Sequence, residues 1–173
     1  MKGLDNQLYV ILLLLSNAIA ILQLIAAVKW PRIARFSFFL LFAWASWMNW
    51  TTSQQTPDVY VDYADLTWSS WYSNFIHGWF AEHIQLAVGF IASSQALIAT
   101  SMLLKGWVFK AGGVAAIVFL LCIVPFGVGS GFPATVIMAA AIWVLLKKHQ
   151  NNFIWQKNNL LQYERIKKSA AAD

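Results

Sequence analysis

The sequence predicts an all-α integral membrane protein with five transmembrane helices, arranged as a four-helix bundle plus an extra amino-terminal helix. Hydrophobic residues make up 60% of the 173 positions and charged residues only 11%, whereas about a quarter of the residues in soluble domains are charged. The mean hydropathy is +0.59. Five apolar segments are long enough to cross a hydrocarbon core of about 30 Å. The connections between them are short, so residues 1–173 are predicted to form a single membrane domain.

The predicted spans differ in length and in the residues that mark their ends. The spans cover residues 8–28, 34–50, 83–104, 111–128 and 131–147. The first is too long for a signal-peptide core, and Lys29 and Arg32 follow it where a small-residue cleavage site would stand, so we expect it to remain as a helix. The second is short, but it ends in Trp44, Trp47 and Trp50. Tryptophan at a helix end is a usual anchor at the membrane interface.

Charge is distributed asymmetrically between the connections. The basic sequences KWPRIAR, KGWVFK and KKH follow the first, third and fifth spans. The 51–82 connection has no Lys or Arg, but it contains the acids Asp58, Asp62, Asp65 and Glu82. Cytoplasmic connections are enriched in Lys and Arg. The amino terminus and the 51–82 connection are therefore predicted to lie outside a cell (inner) membrane, with the tail, 148–173, in the cytoplasm. Basic residues at helix ends also explain the formal charge of +5, so nucleic-acid binding is not expected.

Aromatic and apolar residues in the outer connection recur at helical spacing. From Trp68 to Phe80 they occupy positions i, i+3, i+4, i+7, i+8, i+11 and i+12. This pattern predicts an amphipathic helix over 66–80 that lies flat on the outer leaflet. Such a helix either only anchors the connection among the lipid headgroups or also covers a pocket.

A run rich in glycine and proline, PFGVGSGFP, occupies residues 125–133. Pro125 and Pro133 limit helix continuation, and the three glycines between them permit a tight reversal. We predict an outer turn between two antiparallel helices. A broken-helix binding loop of the kind found in transporters is the alternative.

Neutral polar and aromatic residues form the candidate ligand site under the 66–80 helix. A mostly apolar pocket with a few polar groups, opening at the level of the headgroups, suits a quinone or a lipid whose tail stays in the bilayer. The residues expected to line it are His77, His83, Gln85, Ser94, Gln95, Trp71, Tyr72 and Trp79. For the amide and hydroxyl groups, the alternative is hydrogen bonding between helices.

Several kinds of chemistry are not expected. No histidine lies near the middle of a predicted span, which argues against a haem held by two transmembrane histidines. The spacing of His77 and His83 matches no metal-site signature. None of the seven acids lies within a span, so ion coupling by a buried carboxylate is disfavoured. Cys122 is expected to be a small buried apolar residue.

The order of elements resembles that of a known membrane protein family. A span ending near Asn49 is followed by an outer aromatic helix and by three spans beginning at HIQLAVGFIASSQALIATSMLLKG. Over residues 36–147 the chain resembles the DoxX and DoxD family of small four-helix membrane proteins. Some members form the small subunit of a thiosulfate:quinone oxidoreductase, so the resemblance implies a link to quinones. The chain departs from the family in its additional first helix, and no catalytic motif of the family can be matched residue by residue.

Three functions follow as hypotheses, while the sequence identifies no reaction. The first is a membrane subunit of DoxX/DoxD type that assists quinone-linked electron transfer or binds a quinone or lipid at the outer interface. The second is a non-enzymatic accessory or scaffold subunit whose first helix docks a partner membrane subunit or a second copy of the chain. The third is a small transporter or channel built around the glycine-rich reversal.

Overall fold

The computed structural model describes residues 6–148 and 153–155. Within them all regular secondary structure is helical, as the sequence predicts. In chain order the elements are α1 (Gln7–Lys29), α2 (Pro31–Gln55), a 3₁₀ turn (Pro57–Tyr60), α3 (Tyr63–Leu66), α4 (Ser70–Phe75), a π turn (Ile76–Phe80), α5 (Ile84–Leu103), α6 (Gly106–Cys122), a 3₁₀ segment (Val124–Ser130) and α7 (Ala134–Lys148). Apart from Lys148 and residues 153–155, the predicted cytoplasmic tail, 148–173, lies outside the described part of the chain.

Local sequence explains where the long helices begin and end. The side-chain oxygen of Asn6 accepts a hydrogen bond from the Leu8 N–H at 2.9 Å and caps α1. Pro31 opens α2 directly after the end of α1, where its missing N–H leaves no bond unmade. Gly106 opens α6 with a φ of +65°, a conformation that glycine adopts without steric cost. The two basic connections are therefore tight turns.

The five long helices form a closed ring around one apolar core. The most extensive contacts join α2 to α5 and α1 to α7, while α6 packs between α5 and α7, and α1 contacts α2. Arg35 contacts Met102 and Ser46 contacts Ala92, so α2 and α5 run antiparallel. The largest side chains in the core are Phe38, Phe42, Met102, Phe109, Ile142 and Leu145.

The first helix belongs to this core. Ala20 and Ala27 are fully buried in the same cluster as residues of α2 and α7, and the Gln23 amide donates a hydrogen bond to the Ser37 hydroxyl of α2 at 2.8 Å. The prediction of a four-helix bundle plus an extra amino-terminal helix is therefore wrong about how this helix packs. The buried residues of α1 are small or polar and lie along one face of the helix. This face could not be recognised from the sequence, because nearly all of α1 is apolar.

Two of the long helices, α1 and α5, are each long and apolar enough to cross a membrane. A third span results if α6 and the 3₁₀ segment after it, which are bent by 83°, are taken together. α7 has 15 residues and is about 22 Å long, which is shorter than the hydrocarbon core. α2 has 25 residues, but polar groups at its outer end lower its hydropathy. Length and hydropathy thus support membrane insertion without establishing five spans.

The connection between α2 and α5 is not a single helix. Residues 66–80 are divided among the end of α3, α4 and the π turn, and Gly78 interrupts the π turn with φ −93° and ψ −119°. The prediction of one continuous amphipathic helix is wrong, although the segment is helical in short pieces. The break before α4 arises because the Trp68 N–H and the Thr67 hydroxyl donate to the Pro125 carbonyl, at 3.1 and 2.8 Å. The Trp68 bond takes the place of the backbone hydrogen bond that would continue a helix through that residue.

The same connection packs on the glycine-rich reversal. The Trp68 ring lies edge-on to Phe132, with 5.6 Å between the ring centroids, and a side chain at Gly127 would meet the Trp68 ring. Gly127 has a φ of +58°, so it allows both the turn and the close approach of the indole. Gly113 of α6 lies against Leu146 of α7, and the two helices are therefore antiparallel around the reversal, as predicted.

Candidate functional site

The predicted aromatic residues form a stacked ladder on the outer surface. The rings of Trp71, Phe75, Trp79 and His83 stack in succession, with centroid separations of 5.7, 5.9 and 4.7 Å. Trp71 is 66% exposed and Trp79 50% exposed. The Nδ1 atom of His83 lies 2.9 Å from the Trp79 carbonyl oxygen. These rings face outward, so the ladder fits the anchoring interpretation of the aromatic stripe.

Tyr72 contacts the ladder edge-on at Trp71, with 5.2 Å between the ring centroids, but it is not part of the stack. Its hydroxyl donates to the Cys122 carbonyl at 2.8 Å, and its ring lies edge-on to Phe126 at 5.2 Å. It therefore ties the outer connection to the end of α6. The Cys122 side chain is exposed, contrary to the expectation of a buried residue, because α6 ends there and turns away.

Gln95 lies in the interface between α2 and α5. It is 3% exposed, and its side-chain oxygen accepts a hydrogen bond from the Asn49 amide at 2.8 Å. The Asn49 side-chain oxygen in turn accepts from the Tyr60 hydroxyl at 3.0 Å. This chain of bonds joins α2, α5 and the connection between them. It fits the alternative interpretation of these polar residues, in which they form hydrogen bonds between helices and do not line a pocket.

The remaining predicted site residues are dispersed. His77 and Gln85 are exposed, and Ser94 is half-buried. Gln95 is buried between two helices while the ladder faces outward, so the eight residues do not share one surface. Among residues 6–148 and 153–155, no group of three or more His, Cys, Asp or Glu side chains could hold a metal ion.

The bond between Asn49 and Gln95 should be measurable as a coupling energy. We expect a double-mutant cycle with Asn49→Ala and Gln95→Ala, followed by unfolding in detergent, to give about 0.6 kcal/mol and no more than ~1.7 kcal/mol. Replacing Ser93, which is exposed and bonds only within its own helix at the Gly89 carbonyl, should show no coupling to Asn49. A coupling of zero between Asn49 and Gln95 would contradict the bond.

A cleft lies between α1 and the connection that joins α2 to α5, away from the aromatic ladder. Its volume is about 640 Å³, within the range of small-molecule sites. Side chains of α1, α2 and α7 line it together with the 3₁₀ turn at Pro57–Tyr60, α3 and the glycine-rich reversal. The lining residues are Tyr9, Leu12, Leu15, Ser16, Ile19, Leu41, Trp44, Val59, Asp62, Tyr63, Leu66, Val128, Gly129, Ser130, Gly131 and Met138.

The reversal shapes the floor of the cleft through close packing. A side chain at Gly129 would press on Leu66 and Tyr63, and one at Gly131 would press on Ser16. The Asn17 amide of α1 donates to the Gly131 carbonyl at 3.3 Å. Glycine at these positions lets α1 and α3 approach the reversal and leaves the cleft between them.

The lining of the cleft is mostly apolar. Tyr9 at the start of α1, with Asp62 and Tyr63 of the connection between α2 and α5, supplies a carboxylate and two phenols, and the hydroxyls of Ser16 and Ser130 also line the cleft. Burial, with a smaller contribution from nearby Tyr9, raises the pKa of the Tyr63 phenol above its usual value. The phenol therefore stays protonated at neutral pH and can donate a hydrogen bond to a ligand oxygen.

Sequence reasoning missed this cleft and the placement of Tyr9, Asp62 and Tyr63 in it. Tyr9 is separated from Asp62 and Tyr63 by more than one helix, and no spacing pattern joins them. The sequence signal that bears on Asp62 is the acidic connection without Lys or Arg, which predicts an outer segment. In comparisons with protein-family models, curated proteins and solved structures, none matches this chain.

Proposed function

We propose that this chain is a five-span membrane protein that binds a membrane amphiphile, a lipid or a quinone, in the cleft between α1 and α2. The single observation that carries the proposal is the shape and chemistry of the cleft. Its lining is mostly apolar, exposed side chains of α1 and α2 such as Leu15 and Trp44 line it, and Tyr9, Asp62 and Tyr63 add hydrogen-bonding groups. Such a site accepts an apolar tail from the bilayer and a polar head at the interface.

Exposed apolar side chains around the ring support membrane insertion. Leu14, Phe90, Leu97, Trp107 and Val118, which come from three different long helices, are 55 to 76% exposed. A soluble monomer rarely exposes so continuous an apolar surface. In lipid these side chains carry no such cost, because hydrocarbon tails are as apolar as leucine.

A tryptophan belt supports the proposed outer level of the membrane. Trp44, Trp47 and Trp50 at the outer half of α2 are 53 to 61% exposed, and Trp71 and Trp79 of the ladder are also exposed. Indole rings concentrate at the interface between headgroups and hydrocarbon. The belt lies at the same end of the bundle as the polar groups of the cleft.

The proposed orientation predicts which side of the membrane reacts with a thiol reagent. In a Cys122→Ser background, Asp58→Cys in intact cells should react fully with a membrane-impermeant maleimide, because Asp58 is exposed in the connection proposed to lie outside. Lys105→Cys, in the basic turn before α6, should react only after the membrane is permeabilised. Protection of Asp58→Cys in intact cells would reverse the proposed topology.

Filling the cleft should displace the amphiphile. Leu15 lines the cleft and is 55% exposed, so Leu15→Trp would place an indole in the space proposed for the tail without burying new volume in the core. We expect the purified variant to retain about fivefold less lipid or quinone per protein, a difference of ~1 kcal/mol. Solvent extraction followed by mass spectrometry measures the retained amount.

Leu14→Trp is the matched control for this experiment. Leu14 is the adjacent residue of the same helix, is 67% exposed and does not line the cleft. This variant should retain as much amphiphile as the unmodified protein. Equal retention by both variants would refute the proposed site.

The resemblance to the DoxX and DoxD family adds quinones to the candidate amphiphiles. Quinone carbonyls accept hydrogen bonds, and protonated phenols can donate them. The proposal assigns the chain the role of a subunit that holds the quinone or lipid, and it includes no electron-transfer step. An accessory role beside a partner membrane subunit is compatible with the same site.

A further inference from the structure

We propose that the preferred occupant of the cleft is a phospholipid with an ammonium-bearing head group, bound by the Asp62 carboxylate beside the phenols of Tyr9 and Tyr63. This inference rests on the proposed function and adds the chemistry of the head group. It follows from three observations: unengaged polar groups, the sign of the charge, and the depth of the apolar wall.

The polar groups at the outer end of the cleft are available to a ligand. Among the described residues, the hydroxyls of Tyr9 and Tyr63 and the carboxylate of Asp62 take part in no hydrogen bond within the protein. The Tyr63 ring is held in place by an edge-on contact with Phe126 at 5.8 Å and by stacking on Tyr60 at 6.3 Å. A fixed ring presents its hydroxyl in one direction, which lowers the entropic cost of binding.

The charge at this end is negative. Asp62 is the charged residue of the lining, which includes no Lys or Arg. Asp58 and Asp65 lie in the same connection, which is also free of Lys and Arg. An anionic head group would be repelled there, whereas an ammonium group would pair with the carboxylate. The phosphate of a zwitterionic lipid can accept hydrogen bonds from the two phenols, while a quinone would leave the carboxylate unused.

The apolar wall has the depth of one leaflet. Tyr9 and Ile19 both line the cleft on α1, and their separation of ten positions corresponds to about 15 Å of helix. This is roughly half of a hydrocarbon core of about 30 Å. A lipid of the outer leaflet, with its head at Tyr9 and its tail along Leu12 and Leu15, matches the cleft in polarity and in length.

Lipid selectivity of the purified full-length chain tests the inference. The protein is reconstituted into vesicles of equal parts phosphatidylethanolamine and phosphatidylglycerol with a minor fraction of a polyprenyl benzoquinone, and is then extracted with mild detergent. We expect the retained phosphatidylethanolamine to be enriched about threefold over phosphatidylglycerol, the size expected of one partly exposed ion pair. Asp62→Asn should abolish the enrichment without lowering the total retained lipid.

Asp58→Asn is the matched control, because Asp58 is an exposed acid of the same connection outside the cleft lining. It should leave the enrichment unchanged. Enrichment that survives Asp62→Asn, or a preference for phosphatidylglycerol or the quinone, would overturn the inference. In each of those cases the proposed function stands if Leu15→Trp still lowers total retention. If Leu15→Trp has no effect, the proposed function fails as well.

Discussion

Replacing Gly112 by alanine is expected to destabilise the folded bundle by about 2 kcal/mol or more. Gly112 lies where α6 crosses α5, and an added Cβ would overlap the Oγ and Cβ atoms of Ser101. Ser101 is 4% exposed, and its hydroxyl donates to the Ile98 carbonyl at 2.6 Å. The two helices would have to separate, and helix association in lipid depends on close backbone approach at such small residues. Unfolding of the purified protein in detergent measures the loss.

Gly89→Ala is the control for this prediction. Gly89 is also a helical glycine at a helix contact, but an added Cβ would meet only a ring carbon of Trp50, at an ordinary 3.7 Å. This variant should be neutral or slightly stabilising, because alanine has the higher helix propensity. Adding Ser101→Gly to Gly112→Ala should restore part of the lost stability by removing the overlapping atoms. Equal stability of Gly112→Ala and the unmodified protein would show that the crossing is looser than described.

The sequence was most informative where a property depends on local composition. The first and third predicted spans, 8–28 and 83–104, agree with α1 and α5 to within one residue at each end. The fourth, 111–128, is wrong by five or six residues at each end, because α6 covers Gly106–Cys122 and the chain then bends into the 3₁₀ segment. The 66–80 segment could not be predicted in the same way, because its first residues bond to Pro125, far along the chain. A periodic aromatic pattern indicates helix, but a distant carbonyl acceptor and Gly78 divide it into short pieces.

The candidate site was harder to predict for the same reason. The sequence predicts Gln95 as a pocket residue because it is polar within an apolar segment, yet its side-chain oxygen accepts a hydrogen bond from Asn49 of another helix. The cleft depends instead on where α1 meets the glycine-rich reversal, and Asn17 and Gly131 show that contact only in three dimensions. A residue pattern along one segment indicates which face of that segment is apolar. It does not indicate which other segments contact that face.

Arg35 is the residue whose role changes most between sequence and structure. Its position in KWPRIAR marks it as a cytoplasmic orientation signal, but it is 2% exposed. Its Nε atom donates to the Met102 carbonyl at 2.9 Å, and its Nη2 atom donates to the Leu104 carbonyl. The guanidinium also lies over the Phe109 ring, 4.1 Å from the centroid. One side chain thus joins α2 to the end of α5 and the start of α6.

We expect Arg35→Met to destabilise the bundle by about 3 kcal/mol, because two hydrogen bonds from a charged donor are lost and buried carbonyls at a helix end are left without them. The lost charge also no longer complements the carboxyl-terminal dipole of α5. Arg35→Lys should lose about half as much, since an ammonium keeps the charge but cannot reproduce the planar fork or its stacking on Phe109. Unfolding in detergent gives both values.

Lys29→Met is the control that distinguishes a role of a basic residue in packing from a role in membrane orientation. Lys29 is an exposed cation of the same basic connection, so its loss removes one orientation charge without removing buried hydrogen bonds. It should change stability by less than about 0.5 kcal/mol. If Lys29→Met and Arg35→Met were equally stable, Arg35 would act only as a topological signal. A loss confined to Arg35→Met would instead show that a residue of the predicted positive-inside pattern also holds three helices together, because only its guanidinium bonds to the end of α5 and lies on a ring of α6.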